Sequence, residues 1–399
     1  MNLAYLVSQH PAVNHAFMLR EIARLRQLGF RIVVASVAGP DRPLEKLTDE
    51  ERAESRTTFY VKSSGLSTAA MAHSRVLLSH PLKYARTALY ALSLGDWNPR
   101  RALSAWFYFV EAVIVGEWMR RQQVSHVHIH YSSTVGLIAV RLFPITMSVM
   151  FHGPDEFNDP AGFRIAEKVT ASRFACAISN YARSQLMKSC DFAQWSKLEV
   201  TPLGVDVSVF SPRPPRDGSP IFRMVCAARL APVKGQHVLL AALNILVQAG
   251  RKVSIHLAGG GPDRQSLERD VAARGLQQHV IFEGLLNQDQ LSQLYRDSDA
   301  MVLASFAEGV PVALMEAMAM EIPCVTTWIT GVPELIENMK DGLLVAPGDE
   351  HGLAEAIARL MDDPELRFRL GRAGREKVLE KYDLNRNGAR LAEVFRRRL

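Results

Sequence analysis

Two carboxylates with seven residues between them frame an apolar run. In FAEGVPVALMEAMAM (Phe306 to Met320), every residue from Pro311 to Met320 is apolar except Glu316. On a helix, the neighbours of Glu316 at three and four residues are Val312, Ala313, Ala319 and Met320, so the carboxylate sits on an apolar face. A helix apolar all round is a buried one, and burying a carboxylate without a partner is costly. Glu316 therefore meets either an internal cation or hydroxyl donors on a ligand, and a ribose diol would offer two. Pro311 fits the first helical position, where its missing N–H costs nothing. Glu308 then stands just outside the N-terminus, where compensating the helix dipole alone would contribute only ~0.3–1 kcal/mol.

Other groups with chemical potential follow apolar, strand-like segments. After FRMVCAA comes RLAPVKG, with Arg229 and Lys234 in one loop. Two cations before a helix N-terminus suit an anionic group, phosphate above all; two ordinary surface cations are the plainer reading. After VSIHLA comes GGGPD, where glycines such as Gly260 permit close backbone approach or simply a tight turn. The dinucleotide fingerprint is broken, because Arg264 stands where its last glycine would be. His152 follows the apolar segment ITMSVM, and Asp155 lies three residues on. HVHIH puts His126, His128 and His130 on one side of a strand, but no carboxylate or cysteine is adjacent in sequence, so a metal is not expected there. The DSD of Asp297 and Asp299 falls at a helix-to-strand turn, which suits a capping role.

The elements that must position these groups alternate. Strands are expected at Leu3–Val7, FRIVVASV, HVHIH, ITMSVM and FACAIS in the first half. In the second they are FRMVCAA, VSIHLAG, HVIFEG, AMVLAS, PCVTT and GLLVAP. Helix-length spacers imply crossovers and parallel sheets, hence an α/β chain of two doubly wound domains. Residues 204–220, GVDVSVFSPRPPRDGSP, read as the linker between residues 1–203 and 221–383. A last helix is expected over roughly 384–399, after the break at Tyr382–Asp383, packing back onto the first domain. In such sheets ligands bind beyond the carboxyl ends of the strands.

EGVPVALME, ARLAPVKG, LAGGGP and GVPELIENMKDGLLV together resemble, in order and spacing, the retaining glycosyltransferases of family four (glycosyl transferases group 1). The likeness is strong over about residues 200–380 and weaker in FHGPDEF and AISNYARSQL. It implies a GT-B fold, two Rossmann-like domains facing a deep cleft. It implies a metal-independent hexosyltransferase using a UDP- or GDP-sugar, with no cofactor. By that resemblance Glu308 faces the donor sugar and its phosphates, Glu316 binds the ribose, and Arg229 and Lys234 bind the pyrophosphate. Gly260, Gly309, Val310 and Pro311 complete the donor side. His152 lies near the donor sugar and acceptor, with Asp155 a secondary candidate. The first loop, SQHPAVNHAF, is similar to a subgroup linked to exopolysaccharide and colanic acid assembly, with Asn14 and His15 in place of a Ser and a Glu; these are acceptor-side candidates. Glu321 stands where relatives have glycine, so altered local backbone is expected. A nucleotide-sugar epimerase and a non-catalytic nucleotide-sugar-binding subunit are the alternatives on this fold.

Composition agrees with this class. The four cysteines are scattered, which fits neither a disulfide framework nor a zinc site. The N-terminus has no basic n-region, and Ala102–Gly116, interrupted by Glu111, is expected to be too short to span a bilayer. A cytoplasmic location is therefore expected. The net charge is +6, and the excess lies in residues 1–200, with 23 Lys and Arg against 16 Asp and Glu. Ten of those basic residues fall between Arg56 and Arg141, interleaved with Tyr84, Tyr90, Trp97, Trp106, Phe107, Tyr108, Phe109 and Trp118. Two readings stay open: peripheral contact with the anionic inner face of the cytoplasmic membrane, or aromatics that simply pack the domain. The expected partners are the nucleotide-sugar and a saccharide or lipid-linked saccharide, and no nucleic acid.

Overall fold

Apolar strands separated by helix-length segments can pair only through crossovers, and in the computed structural model every named strand pair is parallel. The structure describes residues 1–12, 16–95, 98–131, 133–212 and 221–399. The chain divides into two units. One comprises Met1–Ile178, Ala182–Thr201 and Gly388–Leu399; the other comprises Ser179–Tyr181 and Pro202–Asn387.

The first unit contains β1 (Asn2–Gln9), β2 (Arg31–Ala38), β3 (Phe59–Tyr60), β4 (His126–His130), β5 (Thr146–Phe151), β6 (Phe174–Ala177) and β7 (Leu198–Val200). Their order is β3-β2-β1-β4-β5-β6-β7. The second contains β8 (Phe222–Ala227), β9 (Val253–Ala258), β10 (Val280–Gly284), β11 (Ala300–Leu303), β12 (Cys324–Thr327) and β13 (Leu343–Val345), in the order β10-β9-β8-β11-β12-β13. Each order reverses once, between β1 and β4 and between β8 and β11. At such a point the outgoing loops diverge and leave a crevice at the strands' carboxyl ends. Two Rossmann-like units of this kind make a GT-B fold. The edge strands β3 and β7 escape sequence reading because two or three residues carry no period.

The segment between β3 and β4 forms three helices, Leu66–Ser79, Pro81–Ser93 and Pro99–Arg121. Here the expectation for Ala102–Gly116 needs correcting. That run is the middle of a 23-residue helix, whose start is capped by the Asn98 side chain accepting from the N–H groups of Arg100 and Arg101. Among the described residues it is the one helix long and apolar enough to cross a membrane, and 56% of its apolar window is buried inside the protein. Phe109, Ala112, Val113 and Val115 are fully buried in the core of the first unit. Burial raises the Glu111 carboxyl above its ordinary range, and Lys62, 3.9 Å away, opposes the shift.

The stretch read as a linker does not begin at Gly204. Val205 N–H donates to Tyr382 O at 2.9 Å, Leu384 N–H donates back to Val205 O, and Phe210 is fully buried beside Tyr295. Residues 204–212 thus pack within the second unit, while Arg213 to Pro220 lie outside the described residues. The final helix is Leu384–Arg398. From Gly388 onward it belongs to the first unit, where Phe395 packs among Phe30, His128 and Phe174, and Arg397 and Arg398 pair with Glu199.

Candidate functional site

The loops after β8 and β11 leave adjacent strands at the reversal of the second sheet. Between Pro232 and Lys234 the first makes a single 3-10 turn, closed by Gly235 at φ +62°. A Cβ at Gly235 would lie 2.1 Å from the carbonyl oxygen of Ala304, so only glycine lets the two loops approach. That approach brings Lys234 Nζ to 2.6 Å from Glu308 Oε1. Ser305 Oγ donates to the same carboxylate oxygen at 2.7 Å. Thr330 holds the Glu308 backbone, its hydroxyl accepting from Glu308 N–H and donating to Glu308 O. Glu308 is buried, and Lys234 is partly exposed. A fixed ammonium beside a fixed carboxylate can bind an anion and orient a polyol at once. Arg229 lies in the same loop with its side chain exposed; its carbonyl accepts from Gln236 Nε2 at 2.9 Å.

Glu316 is buried on the Val312–Ala319 helix, as its apolar face requires. One partner of Glu316 is a phenol: Tyr295 OH donates to Glu316 Oε2 at 3.3 Å. Burial first, and the Glu316 charge second, push the Tyr295 hydroxyl well above its ordinary pKa, so it stays a donor. Pro311 is the residue preceding this helix, one position earlier than expected. Gly309 and Val310 connect Glu308 to it, with Gly331 packed so tightly that a Cβ there would be 2.2 Å from Gly309 O. In the glycine triplet the close approach is to the neighbouring loop. Cβ atoms at Gly259 and Gly261 would fall 2.0 Å from Ala228 O and 2.1 Å from Leu230 O, whereas Gly260 lies against Leu285. Glu321 keeps the glycine-like conformation, at φ +61°, contrary to the expected altered backbone. Asp299 Oδ2 accepts from Arg223 N–H at 2.8 Å, which ties the start of β8 and gives the DSD turn its structural role.

In the first unit the corresponding end of the sheet is rich in imidazole. His152 follows β5, its ring stacked on Tyr131 at 4.4 Å and its Nε2 2.9 Å from Nδ1 of His130. Its backbone N–H donates to Glu156 Oε2 at 2.6 Å, and Gly153 N–H donates to the same oxygen. Sequence reading singled out Asp155, which is exposed, and missed Glu156 beside it, which is buried. Burial pushes the Glu156 carboxyl up to about 7, against the two N–H donors and the Lys168 ammonium. Lys168 is in turn lowered to about 8 by its own burial. His126 is bonded to Thr146 and Ser148, and His128 to Ser148. Burial lowers both histidines' pKa values, that of His126 to about 3. The premise that no carboxylate stands near HVHIH is overturned: Glu21 lies 3.5 Å from His130, and its oxygen with the ring nitrogens of His128 and His130 forms a buried set within 4.8 Å. Glu21 is more than 100 residues away in sequence, on the Ala16–Gln27 helix, so spacing could not reveal it. Asn14 and His15 lie outside the described residues.

Residues 215–377 match the family model of glycosyl transferases group 1. The match falls within the second unit. Over 210 residues the chain is 35% identical to the putative colanic acid biosynthesis glycosyltransferase WcaL of Escherichia coli (strain K12), covering 50% of this chain and 52% of that protein. The chain thus spans about half the length of that relative. WcaL of Salmonella typhimurium is 24% identical over 99% of both chains. The Anabaena protein HepE, solved in complex with UDP and glucose, superposes with a TM-score of 0.74 at 17% identity over 98% of both chains. The last likeness is one of fold.

Proposed function

We propose that the protein is a retaining, metal-independent glycosyltransferase that moves a hexose from a UDP- or GDP-sugar to a saccharide acceptor in exopolysaccharide assembly. The observation that carries this reading is the Lys234–Glu308 pair at the reversal of the second sheet. As the bond from the anomeric carbon to the diphosphate breaks, negative charge grows on the leaving oxygen. Lys234 and Arg229 stabilise it, and their contribution rises with the charge. Glu308 orients the donor sugar and holds the Lys234 ammonium in place. Glu316 accepts from the ribose hydroxyls, and Gly260, Gly309, Val310 and Pro311 shape the donor pocket. The acceptor oxygen bonds to the anomeric carbon on the face the diphosphate leaves, and its proton passes to the departing phosphate. His152 acts on the sugar side, with Asn14, His15 and Asp155 toward the acceptor. The colanic acid and amylovoran names of the full-length relatives support the biosynthetic context. A panel of UDP- and GDP-sugars scored for transfer in the presence of EDTA tests the reading. Transfer with retained configuration is expected. Epimerised free nucleotide-sugar would favour an epimerase, and binding without turnover a non-catalytic subunit.

A second observation favours a lipid-linked acceptor reached from a membrane. On the three helices between β3 and β4, Leu66, Leu78 and Leu82 are 90%, 82% and 74% exposed, and Leu89, Leu103 and Phe107 are exposed beside them. Of the aromatics singled out in sequence, Tyr84, Phe109 and Trp118 pack inward, while Trp106, Phe107 and Tyr108 face outward; Trp97 lies outside the described residues. Exposed leucines with Arg75, Lys83, Arg86, Arg100 and Arg101 on the same helices match an anionic bilayer surface. Sedimentation with anionic liposomes, weakened by salt and by Leu78→Glu with Leu82→Glu, is the expected result. No sedimentation at low ionic strength would reject it.

A further inference from the structure

We propose that His130 is a positioning residue for His152, and that with Glu21 it fixes which nitrogen of the His152 ring carries the proton. The functional half of this proposal rests on the transferase reading; the tautomer itself does not.

His130 ends β4, fully buried, paired in register with Val7 of β1 and Met150 of β5. Its Nδ1 lies 2.9 Å from Nε2 of His152. Two imidazoles sharing one hydrogen bond need one N–H and one lone pair, and the geometry of the shared bond does not say which is which. The other nitrogen of His130 decides. Its Nε2 faces Glu21, whose Oε1 lies 3.5 Å away, outside hydrogen-bond geometry, and accepts from the buried Tyr5 hydroxyl at 2.9 Å. A carboxylate attracts an N–H and repels a lone pair, so its proximity favours the proton of His130 on Nε2. Nδ1 of His130 is then a lone pair, and the bond between the rings must be donated by His152 Nε2–H. His152 consequently keeps its lone pair on Nδ1, a buried acceptor that a sugar hydroxyl reaches only once the ring is uncovered. His128 stays outside this chain, since its Nδ1 is bonded to Ser148 Oγ at 2.7 Å.

The buried set of Glu21, His128 and His130 could instead hold a metal ion, and the consequence is opposite. A metal on His130 Nε2 would move that ring's proton to Nδ1, reverse the shared bond, and leave His152 protonated on Nδ1. Imidazole nitrogen spectra of the 15N-histidine-labelled protein separate the two, with His152 assigned by its loss in His152→Gln. A His152 ring protonated on Nε2 is expected. Protonation on Nδ1, or a stoichiometric metal found by elemental analysis of the purified protein, would overturn the proposal. If His152→Gln fails to fold, the scalar coupling across the shared N–H···N bond assigns the His130–His152 pair in the wild-type spectrum. His130→Asn keeps an acceptor in place of Nδ1 and should hold both the tautomer and the transfer rate within about twofold. His130→Phe removes it and should mix the tautomers and slow transfer by on the order of tenfold or more, with nucleotide affinity unchanged. Wild-type transfer by His130→Phe would overturn the positioning role. A wild type that transfers no sugar but shows the expected tautomer would overturn the transferase reading instead.

Discussion

The two units share a strand order but put different chemistry where it reverses. In the second, Lys234 and Glu308 meet directly at 2.6 Å, and Ser305 and Thr330 hold the carboxylate side. In the first, the reversal gathers buried hydroxyl and imidazole groups: Tyr5, His128, His130 and His152, with Glu21 behind them. A charged pair suits a substrate that carries charge and develops more. A chain of imidazole and hydroxyl groups suits one recognised by hydroxyls.

That contrast can be broken most forcefully at Lys234. Lys234→Ala should lower kcat by about 10²–10³-fold, and nucleotide affinity far less, because its contact strengthens as the leaving group charges. Equal losses in kcat and affinity would reduce it to a ground-state anchor. Next in size, Glu316→Ala should weaken nucleotide binding by ~1.5–3 kcal/mol in calorimetry. Tyr295→Phe removes the internal donor to the same oxygen and should leave the ligand contact in place, so its effect on affinity should be smaller. Unchanged affinity in Glu316→Ala, with the fold intact, would remove the ribose role.

In the first unit, Glu156 gives a pH-dependent test. Its folded pKa of about 7 lies above the ordinary carboxyl value of 4.5, so between these the folded state holds the proton that the unfolded state has lost. Stability therefore falls as pH rises from about 4.5 to 7. Glu156→Gln keeps an acceptor for the His152 and Gly153 N–H groups and abolishes that slope. Relative to wild type it should gain on the order of 1–2 kcal/mol between pH 5 and 8 in denaturant melts, Lys168 offsetting part of the wild-type cost. A constant difference across that range would mean the carboxylate is better compensated than its burial implies. The smallest effect is expected at Glu321. Glu321→Gly relieves a left-handed backbone at the end of the Val312–Ala319 helix and should stabilise the fold by about 0.5–1 kcal/mol, with activity unchanged.

How much was legible follows the same division. Eleven strands were readable because runs such as VSIHLA and HVHIH are apolar and bounded by turn residues. Glu308, Lys234 and Glu316 were readable because a charge beside or within an apolar run needs explaining. That Glu308 and Lys234 pair with each other was not, because the contact depends on Gly235 letting two loops touch. Tyr295 was hidden because a tyrosine in a polar helix looks like a surface residue. Glu21 and Glu156 were hidden because their burial comes from tertiary packing and leaves no period in the sequence. The exposed leucines between β3 and β4 were missed because their helices are apolar on both faces, and only the structure tells the two faces apart.

The position of Phe395 bears on synthesis. The first unit begins at Met1, yet its aromatic cluster of Phe30, His128 and Phe174 is completed by a side chain that leaves the ribosome hundreds of residues later. The second unit, apart from three early residues, is contiguous and ends at Asn387, before the part of the final helix that carries Phe395. The later-synthesised unit can therefore close first, while the earlier one waits with an unfilled apolar groove. A chain stalled or cut before residue 388 would leave that groove exposed.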